Sequence, residues 1–352
     1  MTSFWHGKRV LITGHTGFKG GWLSLWLKSL GAEIVGYSLQ PPTSPNLFDS
    51  IGLEKDITSI HGNILDRESL ANTFDKYKPE IVFHLAAQPI VRKSYADPID
   101  TFNTNVMGTV NLFDVIRKSE SVKVVVNVTS DKCYENKEWT WGYRETEPMG
   151  GYDPYSCSKG CSELITNSFR KSYFSDQNIY LASARAGNVI GGGDWAEDRL
   201  VPDIIKSLSN NQFPVIRNPF AIRPWQHVLE PLNGYKLLAE KLWIDGHKYA
   251  EGWNFGPENE NIITVSELVN QLMNFWGVNE EAACSLDSSN QPHEAQLLKL
   301  DSSKAKYMLG WSQKLPICQT LEWTTDWYRA FNDHADMKKF TLSQIEAYEK
   351  LS

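Results

Sequence analysis

Seven residues near the N-terminus, Gly14-His-Thr-Gly17-Phe-Lys-Gly20, constrain the fold of this chain more than any others. They follow a short apolar run, Arg9–Thr13, that reads as a strand. They precede Gly21-Trp-Leu-Ser-Leu-Trp-Leu-Lys-Ser-Leu30, which reads with Phe18 as a helix stopped by Gly31. Glycines three apart at a strand-to-helix turn let the backbone come close to a diphosphate, whose charge then sits at the helix N-terminus. The expectation is a dinucleotide-binding α/β unit at the start of the chain.

The alternation continues through the first half. Strands are expected at Arg9–Thr13, Glu33–Ser38, Ile57–Ile60, Ile81–Leu85, Val122–Thr129 and Ile179–Arg185, and helices at Phe18–Leu30, Arg67–Tyr77, Ile99–Lys118 and Tyr155–Ser172. This pattern specifies a doubly wound parallel sheet of the Rossmann type. After Gly187 the character changes to Gly191-Gly-Gly-Asp-Trp195, proline-containing connections and helices. Residues 1–187 are expected to form the cofactor domain with the catalytic groups, and residues 188–352 a smaller, mostly helical substrate lobe, with some crossing of the chain between them. Thr264-Val-Ser-Glu267 is a capping box that starts a helix toward Trp276.

Composition limits the function classes. A chain of 352 residues with 41% hydrophobic residues can bury one large core or two coupled ones. A net charge of -7 argues against nucleic acid as the main partner, and no apolar run reaches membrane-spanning length. Met1-Thr-Ser-Phe-Trp-His6 lacks the charged start and apolar centre of a signal peptide, so a soluble cytoplasmic protein is expected. Five cysteines form no even disulfide framework. Cys157 and Cys161 lie one helical turn apart, but nothing completes a zinc-ligand spacing, and no metal is expected.

Two segments carry chemistry. Thr129-Ser-Asp-Lys132 follows the apolar strand 122–128, so Ser130, Asp131 and Lys132 emerge at its carboxyl end, where open α/β sheets place ligands. Tyr155-Ser-Cys-Ser-Lys159 opens a helix and puts phenol and ammonium on one face. A phenol with pKa ~10 needs ~4 kcal/mol to become a base near neutrality, about what one cation ~4 Å away supplies at an effective dielectric of ~20. Lys159 is thus expected to activate Tyr155. Without the glycine turn the pair would read more readily as a surface Tyr-Lys pair on an amphipathic helix.

The spacing Gly-x-x-Gly-x-x-Gly with Tyr-x-x-x-Lys downstream resembles the extended short-chain dehydrogenase/reductase family, over nearly the whole chain. At Trp5–Gly20, Thr129–Lys132 and Pro292-His-Glu-Ala295 the likeness narrows to the branch of sugar-nucleotide 4,6-dehydratases that acts on CDP-glucose. The resemblance implies an enzyme, a hydro-lyase that makes a 4-keto-6-deoxy sugar nucleotide for surface-polysaccharide deoxysugars. NAD is expected to be reduced and reoxidised within one turnover. Gly14, Gly17, Phe18, Gly20, Asn63, Ile64, Ala86, Ala87, Gln88 and Asn105 match cofactor-lining positions, along with Tyr155 and Lys159. The second strand runs into Gly36-Tyr-Ser-Leu-Gln-Pro-Pro42 without the usual acid. No Lys or Arg occurs between Ser29 and Glu54 to receive a 2′-phosphate, which favours NAD over NADP.

The same resemblance makes Tyr155 the base at the C4 hydroxyl, Ser130 a partner of the C4 oxygen and Asp131 the acid for the departing C6 hydroxyl. Lys132 is either the C5 base or a cation that steadies an enolate. Gln88, Asn188, Arg199, Arg223 and His293 match substrate-binding positions, although Arg199 reads equally as a solvated charge. The helices 99–118 and 155–172 resemble a four-helix interface, implying a homodimer or homotetramer. A sugar-nucleotide 4-epimerase shares the glycine turn, Tyr155 and Lys159 but has no use for Asp131 and Lys132. A catalytically silent NAD-binding scaffold would have little reason to keep the full set.

Overall fold

The computed structural model describes residues 3–214, 216, 218–258, 262–278 and 297–351. Its strands are β1 (Arg9–Thr13), β2 (Glu33–Ser38), β3 (Thr58–His61), β4 (Ile81–His84), β5 (Val124–Val128), β6 (Tyr180–Ala186), β7 (Asn188–Ile190), β8 (Ile222–His227), β9 (Gly252–Phe255) and β10 (Ile262–Thr264). Seven of them form a parallel sheet in the order β3-β2-β1-β4-β5-β6-β9. The order reverses between β1 and β4, which opens a crevice at the carboxyl ends of those strands. β4 and β5 are buried at every position, as a sheet covered on both faces requires.

The helix Phe18–Ser29 is enclosed from Gly20 to Leu27. The sheet covers one side and the C-terminal helix Met337–Glu349 the other. Trp26 Nε1 donates to Glu349 Oε1 at 2.8 Å, and the Trp26 and Tyr348 rings meet edge to face at 5.7 Å. A helix apolar all round is the sequence signature of that setting. One apolar core runs from Trp5 to Tyr348 and joins both halves of the chain.

Three features differ from expectation. The helix expected over 99–118 is divided into Pro98–Phe102, a π-helical stretch Asn103–Met107 and Gly108–Ile116. The extra residue in that turn carries Asn105 to the inside, a common use of a π-bulge. Secondly, the latter half has more sheet than its composition suggests: β8 pairs in parallel with β7 and antiparallel with β10. Thirdly, β9 leaves that half and pairs with β6 in the main sheet. Gly252-Trp-Asn-Phe255 is too short to announce itself as a strand. The capping box forms as expected, with Thr264 N donating to Glu267 Oε2 at 2.8 Å ahead of the helix Val265–Trp276. Among the described residues, no helix is long and apolar enough to cross a membrane.

Candidate active site

The glycine turn leaves β1 at Gly14, whose φ of +78° suits glycine and whose added Cβ would lie 2.8 Å from Ala86 N. A Cβ on Gly20 would come 2.1 Å from the Gly14 carbonyl oxygen. Gly17 caps the Phe18–Ser29 helix without a side-chain hydrogen bond, so this helix end presents backbone donors to an anion. The cradle fits the diphosphate of a dinucleotide on steric grounds alone. Beside it His15 lies over Gly36, where an added Cβ would meet its ring at 2.2 Å, and its Nε2 bonds Ser59 Oγ at 2.7 Å. Burial lowers the His15 pKa to about 4, keeping the ring neutral.

The loop after β4 is fastened from below. Asn105 Oδ1 accepts Gln88 N at 2.8 Å, and its Nδ2 donates to the Gln88 carbonyl at 3.0 Å and to Ser158 Oγ at 2.9 Å. It therefore ties Ala86, Ala87 and Gln88 to the helix that bears Tyr155. Gln88 was expected to reach substrate, but its Nε2 is engaged by the Ile90 carbonyl and Thr101 Oγ1. Both amide hydrogens are used, one within the loop and one on the helix Pro98–Phe102. Ile64 packs its side chain toward Gly108, and Asn63 spends its Oδ1 on Leu65 N.

Ser130, Asp131 and Lys132 turn away from the end of β5. Ser130 Oγ accepts Lys132 N at 3.2 Å and donates to Asp131 Oδ1 at 2.9 Å. Burial raises the Asp131 carboxyl above its ordinary range, against the pull of Lys132, Ser130 and Lys19. Its Oδ2 faces Gly187, where a Cβ would intrude to 2.9 Å. The opposing helix Pro154–Phe169 begins with Pro154 and is capped by Asp153, which accepts Ser156 N at 2.9 Å. That cap brings Tyr155 and Lys159 against the end of β5.

Electrostatics at Tyr155 differ from the expectation. Burial pushes the phenol up to about 12, with the Ser130 hydroxyl opposing the rise through a side-chain hydrogen bond. The Lys159 Nζ donates to the Val128 carbonyl at 3.4 Å, and burial lowers it to about 8. One helical turn aligns the two residues, but the backbone carbonyl of β5 takes the ammonium.

Of the substrate candidates, Arg199 lies in this site. Its Nη1 donates to Asp194 Oδ2 at 2.7 Å, and its charge acts on both Tyr155 and Lys19. Asn188 on β7 follows Gly187, which abuts Asp131, and Arg223 on β8 precedes Pro224, which lies near Gly187. His293 and the rest of Pro292–Ala295 lie outside the described residues.

Two features had no expectation attached. Lys19, inside the glycine turn, is lowered to about 8 by burial and by the charges of Arg199 and Lys159. A cation within a glycine cradle was the available signal. Behind the site, Glu163 accepts from Thr129 Oγ1 at 2.5 Å, Ser183 Oγ at 2.7 Å, and Arg185 at 2.9 and 2.7 Å. Burial works against the Glu163 charge, yet Arg185 and these donors hold its pKa below the ordinary value. Arg185 also donates to Tyr134 Oη at 2.6 Å. Glu163 stands four residues beyond Lys159, a spacing that marks it in retrospect.

The family model described as GDP-mannose 4,6 dehydratase matches residues 11–324. The chain is similar to CDP-glucose 4,6-dehydratase of Salmonella typhimurium, 54% identical over 98% of this chain and 97% of the relative. Its fold resembles that of UDP-glucose 4-epimerase of Thermotoga maritima with UDP-glucose, at a TM-score of 0.80 and 22% identity over 92% of this chain and 99% of the other. It also resembles dTDP-glucose 4,6-dehydratase of Bacillus anthracis in complex with NAD, at 0.76 and 21% over 94% and 99%.

Proposed function

The chain belongs to the GDP-mannose 4,6 dehydratase family of sugar-nucleotide enzymes, and from that premise we propose that it converts CDP-glucose to CDP-4-keto-6-deoxyglucose and water. It is an NAD-dependent hydro-lyase. The observation that carries this reading beyond redox chemistry is the pair Asp131 and Lys132, set at the same end of β5 as Tyr155 and Lys159. Oxidation at C4 or epimerisation needs neither.

NAD, with its diphosphate at Gly14, Gly17 and Gly20, would supply the hydride acceptor for C4 and the hydride donor for C6. Tyr155 Oη takes the proton of the C4 hydroxyl, and Ser130 Oγ orients that oxygen. With the phenol at about 12, the phenolate needs favouring neighbours, and the Ser130 hydroxyl and the Arg199 charge are the groups that pull it down. Asp131, whose carboxyl burial raises above its ordinary range, gives its proton to the departing C6 hydroxyl. Lys132 attends C5, as base or as the cation that steadies the enolate. Arg199, Asn188 and Arg223 are assigned to the diphosphate, Arg199 being the one whose charge already acts in the site. In this reading residues 1–187 supply the cofactor and catalytic groups and residues 188–352 most of the substrate contacts.

The test is a product assay with CDP-glucose, UDP-glucose and dTDP-glucose in parallel. CDP-glucose is expected to give a 4-keto-6-deoxy sugar nucleotide without net NADH. Stoichiometric NADH release, or a 4-epimer as product, overturns the reading.

We also assign a homodimer as the smallest assembly. Ile99 (73% exposed) and Leu164 (60%) lie on the helices Pro98–Phe102 and Pro154–Phe169, with Met107 also exposed between them. Light scattering should give at least twice the monomer mass, and a clean monomer at micromolar concentration refutes the assignment. The four described cysteines are all free, which suits the cytoplasm.

A further inference from the structure

The main sheet reverses its order between β1 and β4, and the crevice over the ends of two such strands is where an open α/β sheet takes a dinucleotide. β4 runs through Ile81-Val-Phe83, fully buried and apolar, and then ends on His84, which is 3% exposed. An imidazole enclosed in that way is costly unless its nitrogens are paired. Both are. Nδ1 lies 2.7 Å from Thr13 Oγ1 at the end of β1, and Nε2 lies 3.2 Å from Thr109 Oγ1 on the helix Gly108–Ile116.

The neighbours fix where the hydrogens are. Thr13 Oγ1 accepts Leu85 N at 3.1 Å and Ala86 N at 3.2 Å, which fills its two lone pairs, so its one hydrogen points at His84 Nδ1. On the far side Thr109 spends its hydrogen on the Asn105 carbonyl at 2.8 Å, so its oxygen accepts from His84 Nε2. The two sides require the same tautomer, a neutral ring with its hydrogen on Nε2. Burial and, after it, the charge of Lys159 lower the His84 pKa to about 3, which keeps a second proton off the ring.

Each side of the ring meets a part of the cofactor site. Thr13 adjoins Gly14, and Ala86 N, which Thr13 holds, is the atom that a Cβ on Gly14 would strike at 2.8 Å. Thr109 hangs from Asn105, whose side chain fastens Gln88 and bonds Ser158 Oγ. Ser158 Oγ in turn donates to the Tyr155 carbonyl at 2.7 Å. The floor of the crevice is therefore one directed hydrogen-bond chain, from the glycine turn to the helix that bears Tyr155, with His84 in its middle.

We propose that His84 is a positioning residue for the cofactor, the neutral link that sets the gap between the Gly14 turn and the Ala86 loop. The inference rests on the placement of the NAD diphosphate at Gly14, Gly17 and Gly20 given above. A rigid ring that accepts on one side and donates on the other holds both walls at once. A leucine in its place would leave Thr13 and Thr109 without these partners and release the Ala86 loop.

The experiment is calorimetric titration of the full-length protein, freed of nucleotide, with NAD and separately with CDP, whose proposed contacts are Asn188, Arg199 and Arg223. His84→Leu should weaken NAD binding ~10-fold or more and leave CDP binding within ~2-fold of wild type. His84→Gln puts an acceptor and a donor back on one planar group and should recover most of the NAD affinity. Should the leucine variant fail to fold, Thr109→Val removes only the acceptor of Nε2 and should weaken NAD several-fold with CDP unchanged. Nitrogen NMR of the wild-type His84 ring should show Nε2 protonated and Nδ1 bare. The assignment is overturned if NAD affinity is unchanged in these variants, if NAD and CDP weaken together as a general loss of structure would have them, if glutamine is as weak as leucine, or if the ring is charged or in the other tautomer. Gly20→Ala tests the placement of NAD by itself: the new methyl would come 2.1 Å from the Gly14 carbonyl oxygen, so this variant should bind no NAD. Wild-type NAD binding in Gly20→Ala would remove the placement, whereas the His84 and Thr109 variants bear on the link alone.

Discussion

Asp131 is a short acid in a place that raises its carboxyl above the ordinary range, and its neighbours matter for room as much as for charge. Asp131→Asn keeps the size and loses the acid, so turnover should fall ~10²–10⁴-fold. Oxidation at C4 depends on Tyr155, so this variant should retain enzyme-bound reduced cofactor, visible in the near ultraviolet after mixing with substrate. Tyr155→Phe should show none. If Asp131→Asn turns over normally, or suppresses that absorbance as fully as Tyr155→Phe, the acid has been misassigned. Gly187→Ala tests the same carboxyl from the other side. The new methyl would sit 2.9 Å from Asp131 Oδ2, so kcat should drop by ~10-fold or more while circular dichroism stays unchanged. Wild-type kcat in Gly187→Ala would show that the acid tolerates displacement.

Among the elements, the helix Pro154–Phe169 organises the site. Tyr155, Lys159 and Glu163 recur at four-residue intervals and are all buried on one face. Sequence periodicity showed the first two because a known chemistry uses them. Glu163 acquires its meaning from β5 and β6, which bring Thr129, Ser183 and Arg185 to it. Thr129 is joined directly to Ser130, so the ion pair braces the catalytic turn through one peptide bond. Glu163→Gln leaves Arg185 buried without its counter-charge and should cost about 3–5 kcal/mol of stability, read from the denaturation midpoint. A midpoint unchanged from wild type would mean that Arg185 finds another partner, such as the Glu145 carbonyl 3.3 Å away.

At the scale of the molecule, the C-terminal segments are locked to the core by Glu230. Its Oε1 accepts Lys314 N and Leu315 N at 2.9 and 2.7 Å, and its Oε2 accepts Tyr348 Oη at 2.8 Å. Burial nonetheless raises its pKa to about 7 from 4.5. Between those values the native state holds a proton that the unfolded chain has released, so unfolding free energy should fall as pH rises through that window and level off above it. The loss is on the order of 3 kcal/mol, and Glu230→Gln should abolish its share of the slope. An identical pH profile in the variant would assign the slope elsewhere. The sequence by itself determined the local order: a glycine turn between strand and helix, five-residue apolar strands, a capping box, and Tyr155 one turn from Lys159. These are legible because neighbours in the chain settle them. Only the tertiary structure decided that the Lys159 ammonium meets the Val128 carbonyl, that Gln88 is bound to Thr101 on the helix Pro98–Phe102, and that β9 completes the sheet. It also decided that Trp22 bonds the Gly192 carbonyl and Trp26 bonds Glu349, across 170 and 323 residues. Burial and charge at a site are sums over segments far apart in sequence. No local pattern records them, and they set which acid keeps its proton.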